Sequence, residues 1–208
     1  MPRTTLCLIA FLLALATSAS AETEADVWTP GDAAEGDGFS YQIFSKNEDG
    51  HVVYQARGKV RAEPAVLVRS VRAVASDPAR APDGQTRRIV SSDEDGFTVH
   101  TYIDLPTLFS DRDIVTHGSA SVDAETGHHR VDWKAIEHRE VPVVEGTIRI
   151  DRSAGFWDFV SAGGGETTAV YETYVDLGGS FPGWLVGSMM GGMVGSTFEE
   201  VAKEALGK

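Results

Sequence analysis

From Arg87 onward the chain is written with a period of two. The segments "RRIVSSDEDGFTVHTYIDLP", "RDIVTHGSASVDAETGHHRVDWKAIEH", "VEGTIRIDRSAGFWDFVSA" and "TTAVYETYVDL" alternate apolar and polar residues, and they break at "DEDG", "DAETG", "DRSAG" and "GGGE". Alternation with hairpin-sized joints specifies short strands in a meandering antiparallel sheet. A helical pattern of about 25 residues follows from Pro182, with Ser180 at the capping position. A sheet with one apolar face must bury it against another layer, and the terminal helix is the expected cover. The fold class is therefore α+β, a curved antiparallel sheet closed over a long C-terminal helix.

The upstream half supplies fewer elements. "FSYQIFSK" and "HVVYQARGKV" read as two strands around the turn "NEDG", and "EPAVLVRSVRAVASDP" as a helix. Pro64 is acceptable in that helix's first turn, Pro78 stops it, and Val66, Val68, Val71 and Val74 are available for burial. Residues 22–38 are acidic and Gly-rich and read as a flexible leader, with Trp28 placed to tuck against the domain. Residues 1–21 carry the pattern of an export signal. Arg3 is the positive end, "LCLIAFLLALA" the apolar run, and "ASA" up to Ala21 the cleavage site. The expected location is a periplasm or the outside medium, and residues 39–208 form one domain.

The only cysteine, Cys7, lies inside that signal, so no disulfide or thiolate chemistry is expected of the remainder. With 18 Lys and Arg against 31 Asp and Glu, the formal net charge is −13. Such a chain repels nucleic acid and anionic surfaces.

The stretch "GWLVGSMMGGMVGSTF", Gly183 to Phe198, is uncharged. Gly187, Gly191 and Gly195 are spaced like a membrane dimerisation face. However, Pro182 and the Gly178-Gly179 pair leave a run shorter than the roughly 20 residues that a span needs. At helical spacing Trp184, Gly187, Met190, Gly191, Val194, Phe198, Val201 and Ala205 form one stripe that should face the sheet. Each internal glycine costs about 1 kcal/mol relative to alanine. Glycines on a buried face are thus expected to supply either close packing or room. Leu185, Met189 and Met193 make the opposite side apolar as well, which suits either a second protein layer or a transient membrane contact.

Motif chemistry is sparse. His128 and His129 are adjacent on a strand and point to opposite faces, while His100, His117 and His138 lack ligand-spaced partners, so neither a metal nor a cofactor is expected. No nucleophile elbow occurs, and "SAGGGET" lacks the lysine of a phosphate loop. Arg112-Asp113 opens a strand. Its expected role is a clamp on "LPTLFSD", with a lipid head group as the other use of Arg112.

"YIDLPTLFSDRDIV", "VDWKAIEH" and "VYETYVDLGGSFPGWLV", in this order before a terminal helix, resemble the START domain, the steroidogenic-acute-regulatory-related lipid-transfer family. The resemblance runs from about Val52 to Leu206. It implies a helix-grip fold in which a tunnel between sheet and C-terminal helix holds a hydrophobic small molecule or lipid for transport or sequestration, without catalytic residues. On that reading Tyr102, Arg112, Trp133, Trp184, Gly187, Met190, Gly191, Val194 and Phe198 are the ligand contacts. The positions where sterol-binding members place a charged pair fall on Val99 and Gly118, which does not support a sterol. "DPARAPDGQTRRIV" is shorter than the family's tryptophan-containing segment. A cyclase or aromatase using His100, His117 and Tyr102 in the same tunnel, and an interaction module with a filled core, are the alternatives.

Overall fold

The computed structural model describes residues 27–48, 51–94, 96–179 and 183–208; the side chains of residues 184, 185 and 188 lie outside that description. The signal segment, Ser180 and Pro182 therefore also fall outside it. The strands are β1 (Thr29–Gly36), β2 (Phe39–Glu48), β3 (His51–Val60), β4 (Gln85–Ser92), β5 (Phe97–Ile103), β6 (Arg112–Val122), β7 (His129–Ala135), β8 (Ile148–Ile150), β9 (Ser153–Gly163) and β10 (Glu166–Val175). The helices are α1 (Pro64–Ser76) and α2 (Gly183–Ala205), and a short 3-10 turn covers Pro78–Arg80.

The strands run β1-β2-β3-β10-β9-β7-β6-β5-β4 in one sheet. All pairs on this path are antiparallel. Closure comes from β10, which returns to lie beside β3 and so carries the meander back to the first hairpin. The three glycines at the β9–β10 joint, Gly163 to Gly165, all have positive φ, which is why that turn is built from glycine.

Alternation puts Tyr41, Ile43, Tyr54, Ala56, Trp157 and Tyr171 on the inner face, where both helices pack. α2 lies over β2, β3 and β10, and α1 over β4, β5, β7 and β9, and the two helices also meet each other. Phe198 sits at the junction, with its ring centroid 5.0 Å from Tyr41 and 5.7 Å from Trp157. The Trp157 ring stacks on Tyr171 at 4.4 Å. In α1 the deepest side chain is Leu67, with Val71 and Val74 beside it; Val66 and Val68 are only half-buried.

Two expectations are corrected. Residues 29–36 of the acidic leader form β1, an edge strand paired with β2. Most β1 side chains are exposed, so no alternation announces it, and backbone bonding to the β2 edge supplies the order. Trp28 does tuck in, with Lys46 Nζ 5.0 Å and the Arg57 guanidinium 4.8 Å from its ring centroid. The second correction concerns "TIRI", which does not continue the meander. β8 runs parallel to β6 beside Arg112 to Ile114, on the stretch that β7, paired only with Thr116 to Val122, leaves uncovered.

Candidate functional site

The two halves of α2 meet the inner face differently. In the second half Val194, Phe198, Val201 and Ala202 are buried. Gly195 allows close approach, since a Cβ there would stand 2.9 Å from Tyr41 Oη and 3.3 Å from Ile43 Cδ1. Tyr41 donates its hydroxyl to Glu199 at 3.0 Å, and Lys203 Nζ donates to the same carboxylate at 2.8 Å. Burial, reinforced by Glu199, pushes the Tyr41 phenol up to about 12.

One turn earlier the contact opens. Gly191, itself half-buried, lies between the wheel positions of the buried Phe198 and Ala202, yet among the described residues a Cβ there would meet no atom within 4 Å. At Gly187 a Cβ would meet, among the described residues, only Tyr54 Oη, at 3.5 Å. Met190 is buried between them.

Beneath this half the sheet register aligns an inner row, Ser45, Tyr54, Thr173, Gly155, Trp133 and Gly118, across six strands. None of these residues carries a charge. The Trp133 indole lies on Gly155, whose added Cβ would come within 2.6 Å of the ring, and the Phe97 ring lies on Gly118 in the same way at 2.5 Å. Glycine under an aromatic ring lets the ring lie flat on the sheet, so it rises less toward the helix.

Arg112 and Asp113 anchor the rim and do not pair with each other, because adjacent strand residues face opposite sides. Arg112, 3% exposed and on the inner face, donates Nε to Leu177 O at 2.7 Å, Nη2 to Gly178 O at 3.0 Å, and Nη1 to Ser110 O. It thereby fastens the segment leading into α2, where Gly178 and Gly179 turn with positive φ. Asp113, fully buried on the outer face, accepts Arg149 Nε at 2.9 Å and Nη2 at 2.6 Å, with His100 Nε2 at 3.0 Å. Burial pushes this carboxyl up, but the hydrogen bonds from Arg149 and His100 outweigh it and hold the carboxyl below the usual aspartate range. The loop "LPTLFSD" is held by Asp111, which accepts Leu105 N at 2.9 Å and the Tyr102 hydroxyl.

Of the expected ligand contacts, Gly187, Met190, Gly191, Val194, Phe198, Trp133 and Arg112 share the inner side of the sheet. Tyr102 does not. Register pairs it with Asp113 on the outer face, so that assignment is corrected. His100 and His117 share the outer face, which takes all three proposed cyclase residues away from the helices. The Trp184 and Leu185 side chains lie outside the described residues. Met189 is 41% exposed, whereas Met193 is half-buried and packs against the core, which removes it from an outward apolar patch. Tyr54 and Thr173 were missed. Alternation marks them as facing the same way as their neighbours, but only the β3–β10 pairing brings them together.

A trough of about 1000 Å³ crosses the outer face, lined by Val53, Tyr174, Glu172, Phe156, Lys134 and His117 among others. It is separated from α2 by the sheet. Among the described residues no group of three or more His, Cys, Asp or Glu is placed to hold a metal ion. Among them, too, no helix is long and apolar enough to cross a membrane.

Comparison with known proteins places this geometry. No family model matches the sequence. An uncharacterised protein of Pseudomonas aeruginosa is 30% identical over 104 residues, which is 47% of this chain and 48% of that protein. The match thus spans about half the length of that relative. A STAR-related lipid transfer protein of Xanthomonas axonopodis superposes with a TM-score of 0.70 at 19% identity, covering 86% of this chain and 98% of that one. Human STARD10 gives 0.66 at 14% identity, covering 88% and 76%. Human StAR-related lipid transfer protein 5 gives 0.62 at 17%, covering 86% of each. The fold is that of START domains, the helix-grip α+β fold.

Proposed function

We propose that the protein is an exported START-like carrier that binds a hydrophobic small molecule or lipid between the inner face of the sheet and the first half of α2. The observation that carries this reading is Gly191, which shares the helix face of Phe198 and Ala202 and, among the described residues, faces no atom within 4 Å. A glycine kept at a cost of about 1 kcal/mol where no neighbour demands it is accounted for by a guest that does. The fold supports the reading, because the Xanthomonas axonopodis structure and human StAR-related lipid transfer protein 5 are those of lipid transfer proteins. Affinity comes from apolar area removed from water, at roughly 25 cal/mol per Å². The protein binds its cargo and does not transform it. Uptake and release take place where the first half of α2, with Met189 exposed, touches a membrane transiently. The apolar run at residues 6–16 and the small residues before Glu22 support export to a periplasm or the medium.

The test is native mass spectrometry of protein taken from its own cell envelope. Wild type should carry a lipid, and the Gly187→Leu/Gly191→Leu double variant should be folded by circular dichroism yet empty. Native-level lipid in that variant would reject the placement of the site. A cargo whose mass changes on incubation would instead indicate an enzyme.

A further inference from the structure

Among the described residues, the hydroxyls of Thr173 and Tyr54 in the inner row make no hydrogen bond. Thr173 is 0% exposed, and its Oγ1 is buried with no hydrogen-bond partner. The Tyr171 phenol lies near enough for Thr173 to influence its titration, but the two are not in hydrogen-bond geometry. Directly across the β3–β10 pair stands Tyr54, 8% exposed. Its hydroxyl makes no hydrogen bond among the described residues and lies 3.5 Å from where a Gly187 Cβ would be. A buried hydroxyl left unpaired is destabilising, and native proteins rarely keep one without a use. The Tyr41 hydroxyl, beneath the other half of the same helix, is satisfied by Glu199.

Resting on the carrier reading above, we infer that Thr173 Oγ1 and Tyr54 Oη form the polar anchor of the site, selecting a neutral amphiphile with one compact hydroxyl or carbonyl group. Each hydroxyl both donates and accepts, so the pair suits a group that does either or both. The inner row around them, Ser45, Gly155, Trp133 and Gly118, contains no charge to neutralise an ionic head group. Burying an ionised carboxylate or phosphate there is disfavoured for that reason. The flat Trp133 ring on Gly155 offers the adjoining apolar surface. The arrangement therefore seats the polar group under Gly187 and lays the hydrocarbon along the row toward Trp133.

The test compares three probes of equal chain length, hexadecanol, hexadecane and hexadecanoate, offered to the full chain in the same nonionic micelles and quantified by native mass spectrometry. Wild type should prefer the alcohol over the alkane by about fivefold, the worth of one to two ordinary hydrogen bonds, and should take the carboxylate least. Thr173→Val keeps the shape and removes the hydroxyl, so it should abolish most of that preference while leaving alkane uptake unchanged. Its unliganded form should be no less stable than wild type. Tyr54→Phe should remove the remainder. An undiminished alcohol preference in the double variant overturns the anchor and leaves the carrier reading standing, as does a wild type that favours the carboxylate. A stability loss in unliganded Thr173→Val also overturns it, by revealing a protein partner. Failure of wild type to take up any probe overturns both readings together.

Discussion

The halves of α2 differ in composition, since Glu199, Glu200, Lys203 and Glu204 all fall in the second, and they differ again in what lies opposite them. Around Gly195 to Ala202 the helix is pressed onto the sheet, and its polar neighbour, Tyr41, is bonded to Glu199. Around Gly187 to Gly191 the same helix is less closely met by the described residues, and the Thr173 and Tyr54 hydroxyls beneath it make no hydrogen bond among them. The contrast shows that glycine in one helix can serve opposite ends: contact at Gly195 and absence of contact at Gly191. One half fixes the helix on the sheet, which leaves the other half free to stand away from it.

The largest effect is expected at Phe198, whose ring joins Tyr41 and Trp157. Phe198→Ala should lower the unfolding free energy in urea by about 3–5 kcal/mol. A loss under about 1 kcal/mol would mean that the second half is not the anchor.

A single substitution made twice sharpens the comparison. Gly191→Ala gains helix propensity and meets no described atom, so it should stabilise the fold by roughly 0.8–1 kcal/mol. Gly195→Ala drives a methyl against Tyr41 Oη and disturbs its bond to Glu199, so despite the same propensity gain it should destabilise by about 1 kcal/mol. Equal signs in the two melts would erase the distinction between the halves.

The smallest effect is one of pH. The hydrogen bonds from Lys203, and after burial's opposing push the bond from Tyr41, hold the Glu199 carboxyl below the usual glutamate range. A depressed folded pKa stabilises the protein above the unfolded value and is lost as pH falls through the folded one. Stability should therefore decline in mild acid, and Glu199→Gln should be weaker at neutral pH with a shallower acid slope. No carboxylate stands in the inner row under the first half, so variants at Tyr54 and Thr173 should leave that slope unchanged. A changed slope would place a titrating group there.

Much of this was legible beforehand. The joints "DEDG", "DAETG" and "GGGE", the bounds of β3 and α1, and the buried stripe Met190, Val194, Phe198 and Val201 all follow from local period and turn chemistry. Edge strand β1 was illegible because its order comes from a neighbour's backbone and not from its own side chains. That Tyr102 points away from the helices was not legible, because one step along a strand reverses direction and a motif match does not fix parity.

The sequence alone determined the class of the molecule: an alternating sheet, a covering helix and glycines on that helix's buried side, all properties of residues within a few positions of one another. Only the tertiary structure decided what each glycine faces, that Arg112 is engaged with the carbonyls of Ser110, Leu177 and Gly178, and that Tyr54 and Thr173, 119 positions apart, stand side by side. Those outcomes depend on strand register and on the return of β10 to β3, which are set by packing across the whole sheet and leave no trace in any one segment.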